Sequence, residues 1–185
     1  MNEYEFVLRF QLPESDDQPE QYLDALYEAG CDDATVGVGL PGYIGLDFCR
    51  EADSAEKAFA SAITDVKSAI PNAKLTEVTP DLLNISEIAD LISSRLQKIS
   101  RQAMRKYAYG QVAKMKRRFP AAAVTSSSPL WHVDEVVIWL VENNKTDKTE
   151  AQKLFETSKT ARTFNFKLQA QAIQNGLSSF DATAP

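Results

Sequence analysis

The chain has 185 residues, is 44% hydrophobic and 25% charged, and carries a formal charge of -6. These proportions suit a water-soluble globular protein of one domain or two small ones. No apolar run approaches the ~18 residues of a membrane-spanning helix. The opening "MNEYEFVLRF" carries acids where a secretory leader carries basic residues, so a cytoplasmic protein is expected. Cys31 and Cys49 make no CxxC, and His132 is the single histidine that could join them. Reduced thiols are therefore expected, with no metal site and no cofactor.

From the N-terminus, "EYEFVLRFQLP" alternates Tyr4, Phe6, Leu8 and Phe10 against Glu5, Val7, Arg9 and Gln11. That is the period of a half-buried strand. "QPEQYLDALYEAGC" places Tyr22, Leu23, Leu26 and Tyr27 at helical spacing, and Gly30 is a natural stop. "DATVGVGLPGYIGLDFCREA" reads as two strands around a hairpin at Leu40, Pro41 and Gly42. A helix is predicted from Ser54 to Pro71, with Ala58, Ala62, Ile63, Val66 and Ile70 as its apolar stripe. "AKLTEVTP" is a last short strand. The order β-α-β-β-α-β over residues 1–80 is the ferredoxin-like plan. The glycines at 37, 39, 42 and 45 match neither GxGxxG nor GxxxxGK[ST], so they read as turn and hairpin geometry.

After the linker "TPDLLN", Asn84 and Glu87 form a capping box for a short helix "ISEIADLI". Ser100 caps a second helix, "RQAMRKYAYG". "RRFPAAAVTSSSPLW" is irregular, with a possible strand at Ala122–Val124. "HVDEVVIWLVEN" is an amphipathic helix with Val133, Val136, Val137 and Leu140 inward. A polar break, "NNKTDK", precedes a helical tail over 149–178. Leu154, Phe155, Phe164, Phe166, Leu168 and Ile173 give that tail too much apolar surface to stay in water. It is expected to dock on its own module, on a second copy of the chain or on another protein, the second copy being favoured, and its final "SSFDATAP" is expected to fray.

Charge is unevenly spread along these elements. Residues 1–80 hold five basic and sixteen acidic side chains, whereas residues 81–144 hold nine basic and six acidic. All nine of those basic residues lie between Ile92 and Arg118, where there is no acid. An acid-free basic block is the electrostatic footprint expected of a nucleic-acid surface.

The stretches "NISEIADLI", "ISRQAMRKY" and "FPAAAVTSSSPLWHVDEVVIWL" together resemble the helix-turn-helix of small bacterial regulators of the MerR/excisionase-like winged type. The matching features are a first helix of "T-x-I-A-x-L" type, a "V-S-R-Q-x-V-R-K" second helix, and a Trp-bearing helix after the wing. "AGCDDATVG" and "DFCREADSAEKA" extend the likeness into an N-terminal α+β domain, so that it spans roughly residues 3–143. The resemblance implies a winged helix-turn-helix over residues 84–143 that binds double-stranded DNA, and a homodimer is expected because one short helix reads only a few base pairs. One departure is Ser93–Lys98, which reads as an insertion in the turn between the two helices. Base-reading positions would fall on Arg101, Gln102 and Arg105, since arginine matches guanine and glutamine matches adenine. Lys106 lies one step round the helix, and Ser100 could join capping to a phosphate contact. Lys114, Lys116, Arg117 and Arg118 suit backbone neutralisation, while Tyr107 and Tyr109 could pack or reach phosphate.

Trp131 and Trp139 are expected in the core rather than stacked on bases. His132 reads as a helix-start or wing residue. The acid pairs Asp16-Asp17 and Asp32-Asp33 read as solvated loops, because no companion base or metal set accompanies them. A sequence-specific DNA-binding regulator, and not an enzyme, is the expected class. The alternative is an antitoxin or accessory subunit of a defence system, binding a protein partner such as a toxin through the acidic domain or the tail.

Overall fold

The computed structural model describes residues 1–13 and 18–182. Its elements are β1 (Asn2–Gln11), a 3-10 turn (Pro19–Tyr22), α1 (Leu23–Glu28), β2 (Ala34–Gly37), β3 (Tyr43–Ala52), α2 (Ala55–Ala69) and β4 (Lys74–Thr79). These are followed by β5 (Leu82–Leu83), α3 (Ile85–Arg95), α4 (Arg101–Ala108), β6 (Trp131–His132), α5 (Val133–Glu142) and α6 (Lys148–Ala182). Asp16 and Asp17 lie outside the described residues. The chain is mixed α+β and divides into two compact units. One comprises residues 1–79 with the chain from Thr163 onward, and the other is Pro80–Arg162.

The first unit is built on a four-stranded antiparallel sheet in the order β2-β3-β1-β4. β1 pairs with β3 along its whole length, from Asn2 opposite Ala52 to Gln11 opposite Tyr43. The alternation in β1 sets one face: Tyr4, Phe6, Leu8 and Phe10 are buried together with Ile44, Leu46 and Phe48 of β3. Against that face α2 lays Ala58, Phe59, Ala62 and Val66, all buried. Ser54 caps α2 by accepting a hydrogen bond from the Lys57 amide. The Phe6 ring centroid lies 4.1 Å from that of Phe59 and 5.3 Å from that of Phe48. Each such ring contributes ~1.5–3 kcal/mol by leaving water.

Arg50 closes the rim of this core. Its Nε and Nη2 donate to the two oxygens of Asp33 at 2.7 and 2.9 Å. Its Nη1 donates to Asp65 at 2.6 Å, and Nη2 also donates to the Gly30 carbonyl at 2.7 Å. Asp33 is therefore not the solvated loop acid that its neighbour suggests: a guanidinium on β3 ties it to α2. Gly30 sits at φ +94°, a conformation that glycine adopts without strain as it ends α1. Of the two cysteines, Cys31 is buried and Cys49 is exposed. Burial, with Asp65 beside it, pushes the Cys31 thiol up to about 11.

In the second unit the expected capping box is present. Asn84 Oδ1 accepts from the Ser86 and Glu87 amides, and Glu87 Oε2 accepts from the Asn84 amide at 2.8 Å. α3 continues past "ISEIADLI" to Arg95, so it absorbs the first part of the extra segment at Ser93–Lys98. Ser93 Oγ, accepting from the Ile99 amide and donating to its carbonyl, holds the rest of the turn. The core joins Ile85, Ile88, Ala89 and Ile92 of α3, Met104 of α4, and Val133, Val136, Val137, Trp139 and Leu140 of α5. β5 pairs with β6, and Val124 bridges Leu130, leaving a short hairpin between them.

The tail is one helix that docks on its own chain. Ala151, Leu154, Thr157, Ser158 and Ala161 are buried in the second unit. In the first unit Phe164 meets Phe59 at 5.7 Å, and the Asn165 amide bonds both the N–H and the C=O of Val78. The apolar residues that suggested a second copy are thus partly used at home, although Phe166 and Ile173 remain 71% and 64% exposed. The helix runs from Lys148 through Ala182.

Candidate nucleic-acid interface

α4 begins where its sequence says it should. Ser100 Oγ accepts from the Ala103 amide at 3.1 Å, satisfying one of the orphan donors of the first turn. It ends in a Schellman motif: the Gly110 amide bonds the Tyr107 carbonyl, the Gln111 amide bonds that of Lys106, and Gly110 takes φ +66°. Within this single short helix only Met104 is buried. Arg101, Gln102, Arg105 and Lys106 are all exposed, so the four long polar side chains form the outward surface of α4.

The irregular segment after α4 is fixed by the core beneath it. Trp139 Nε1–H donates to the Arg117 carbonyl at 2.9 Å, and the Arg117 amide donates to Asn143 Oδ1 at 3.1 Å. Trp131 Nε1–H donates to the Pro120 carbonyl at 3.1 Å. Phe119 packs edge-on to Trp139 at 4.9 Å, and Tyr107 lies 5.2 Å from the same indole. Both tryptophans are buried, as expected, and each uses its one polar atom to hold backbone. Met115 and Phe119 turn toward the core while Lys114, Lys116, Arg117 and Arg118 stay exposed. Lys114 sits at φ +63°, a conformation uncommon for a side-chain-bearing residue.

The structure therefore places all nine sequence-derived positions on one compact unit with their side chains in water, apart from the Ser100 hydroxyl that caps α4. It also adds residues that sequence reasoning missed. Arg101 Nε and Nη2 donate to Asp90 of α3 at 2.9 and 2.5 Å. The Arg101 bond holds the Asp90 carboxyl below its usual range, and Asp90 raises the Arg101 guanidinium in turn. Asn143 opens the polar break "NNKTDK", yet its buried amide fixes the basic run. Tyr107 packs against Trp139 under the Lys145 ammonium, which lies 5.3 Å from its ring. Tyr109, by contrast, is exposed.

His132 lies at the start of α5, its Nδ1 2.6 Å from Asp81 Oδ1. The Asp81 carbonyl accepts from the Val133 amide, so this acid ties β5 to the start of α5 twice. Arg162 similarly reaches Asp134 and Glu135 in the first turn of α5, at 3.1 and 2.8 Å. Among the described residues no group of three or more histidines, cysteines or acids is placed to hold a metal ion. No helix among them is long and apolar enough to cross a membrane. No protein-family model matches the chain, and no curated protein or solved structure is similar to it.

Proposed function

We propose that the chain is a sequence-specific double-stranded DNA-binding protein, a transcriptional regulator that reads the major groove with α4. One observation carries the reading: the stretch from Ile92 to Arg118 holds nine basic residues and no acid, and the core fixes α4 and the segment after it, which present seven of them. A helix in the major groove needs long polar side chains near its N-terminus, where Arg101, Gln102 and Arg105 stand. Lys114, Lys116, Arg117 and Arg118 follow on a pinned strand of backbone and would neutralise phosphates. On this reading α3 and α4 are a helix-turn-helix, and the hairpin closed by Val124 and Leu130 is its wing. That arrangement supports the resemblance to MerR/excisionase-like regulators. In the first unit, the strand order β2-β3-β1-β4 supports a ferredoxin-like plan. No catalytic role is part of this proposal, and a cytoplasmic setting suits it.

One short helix reads only a few base pairs, so a homodimer on two half-sites about one helical turn apart completes the proposal. The test is a gel-shift titration of the full chain against genomic fragments, including the one upstream of its own gene. Light scattering on the complex counts the copies. A preferred fragment carrying two copies is expected. Equal binding to all fragments and to competitor at moderate salt would overturn the reading.

A second reading is favoured by the exposed Phe166 and Ile173, seven residues apart on α6. They suit an antitoxin or accessory subunit that holds a protein partner through its tail. The two readings are compatible in one chain.

A further inference from the structure

The bond between Asp90 and Arg101 carries more than a link between two helices. The Arg101 guanidinium has five N–H donors in one plane. Asp90 takes the edge formed by Nε and Nη2, with both carboxylate oxygens engaged at 2.9 and 2.5 Å. A two-point bond of this kind fixes the plane and direction of the guanidinium, which a single contact would leave free to swing. The adjoining edge, made by Nη1 and the second hydrogen of Nη2, is a second pair of parallel donors. A pair in that geometry matches the O6 and N7 acceptors of guanine in the major groove. Arg101 is the first residue of α4, and Asp90 stands on α3, so each helix contributes one half of the device.

We propose that Asp90 is a positioning residue: it presets Arg101 as a rigid fork that reads one guanine in the recognition site. The inference rests on the DNA-binding reading above and adds to it the base and the means of selection. The competing account treats Asp90 as a lock, a negative charge that occupies Arg101 until phosphate displaces it. The two accounts differ in sign. A lock lowers affinity for every sequence alike. A fork raises selectivity at one position, at little cost to overall affinity.

Selection of the full chain on a duplex library randomised within the preferred fragment, read by sequencing, separates them. The wild type should retain a fixed guanine at one position of the site. Arg101→Ala should erase that preference alone. Arg101→Lys should erase it as well, since an ammonium keeps the charge but not the paired donors. Asp90→Ala and Asp90→Asn should weaken the preference at that position by about fivefold or more and leave the other positions intact. Both Asp90 side chain and Arg101 side chain are more than half exposed, and exposed pairs add little to folding. Unchanged melting temperatures are therefore expected, and Asp90→Asn serves should the alanine variant fold poorly. Tighter binding of Asp90→Ala to all duplexes, with the guanine preference unchanged, would overturn the fork in favour of the lock. A wild-type site whose preferences ignore Arg101→Ala would overturn it while leaving DNA binding in place. A wild type that binds no duplex would overturn both.

Discussion

Arg50 is the residue at which the first unit carries its largest electrostatic risk. Its side chain is 8% exposed, and burial opposes its charge. The bonds to Asp33 and Asp65 outweigh that opposition, and the guanidinium is held above its ordinary range. Five hydrogen bonds from one side chain join β3, the turn after α1 and α2. Replacing it by alanine would leave two carboxylates facing each other and the Gly30 carbonyl without this donor. Arg50→Ala is expected to cost about 3 kcal/mol in urea denaturation, the lower end for a broken buried pair because both acids keep some contact with water. Arg50→Lys should lie between, restoring the charge without the planar fork. A wild-type midpoint for Arg50→Ala would show that the network adds nothing to stability.

At the scale of elements, the exposed edge of the sheet is where α6 matters to the first unit. β4 is an edge strand, and an open edge offers unpaired backbone groups to other chains. The Asn165 carboxamide accepts from the Val78 amide at 2.9 Å and donates to the Val78 carbonyl at 2.8 Å, so one side chain stands in for the peptide of a fifth strand. Asn165→Leu removes both bonds. Asn165→Asp keeps the acceptor but sets a carboxylate against a carbonyl. Each is expected to cost about 1–3 kcal/mol and to speed hydrogen exchange at the Val78 amide; unchanged exchange would show that the edge is protected without it. This pairing was not legible in the sequence, because the partners are 87 positions apart and an asparagine within a helix carries no local signal for a strand edge. The elements themselves were legible. Alternation in Tyr4 to Phe10 gave the buried face of β1, and Asn84, Ser100 and Ser54 marked helix starts because capping is a local rule. The basic positions followed from the acid-free run between Ile92 and Arg118 and from the resemblance, whereas Met104 as the inward residue of α4 came from the structure. What stayed hidden depends on angles between elements: the Asp33 tie to Arg50, the reach of Asp90 to Arg101, and the anchoring of Arg117 by Trp139 and Asn143.

At the scale of the whole molecule, net charge alone does not decide which partners the chain meets. A chain of charge -6 with a pI near 4.9 would be expected to avoid polyanions. Yet salt limits the reach of exposed charges to a screening length of ~8 Å at physiological ionic strength. Association is then governed by the local field, and residues 81–144 carry a net +3 with their cations on one run. On the DNA-binding reading this division separates affinity from selectivity. Each cation that neutralises a phosphate releases counterions, and the logarithm of the binding constant falls with the logarithm of salt by ~0.9 per contact. Lys116→Ala and Arg117→Ala should therefore weaken binding to every duplex alike and make that slope shallower by about one unit each. The Arg117 backbone stays anchored in the alanine variant, since its amide and carbonyl make the bonds to Asn143 and Trp139. A change in slope would then report the lost charge and not a displaced loop. Gln102→Ala should leave the slope nearly unchanged and flatten the preference among sequences, because a neutral amide displaces no counterion but can read adenine. Binding isotherms at four or five salt concentrations, on the preferred fragment and on a shuffled duplex, measure both quantities together. Should Gln102→Ala change the slope and Lys116→Ala change the preference, the roles are reversed, and a different face of the second unit lies in the groove.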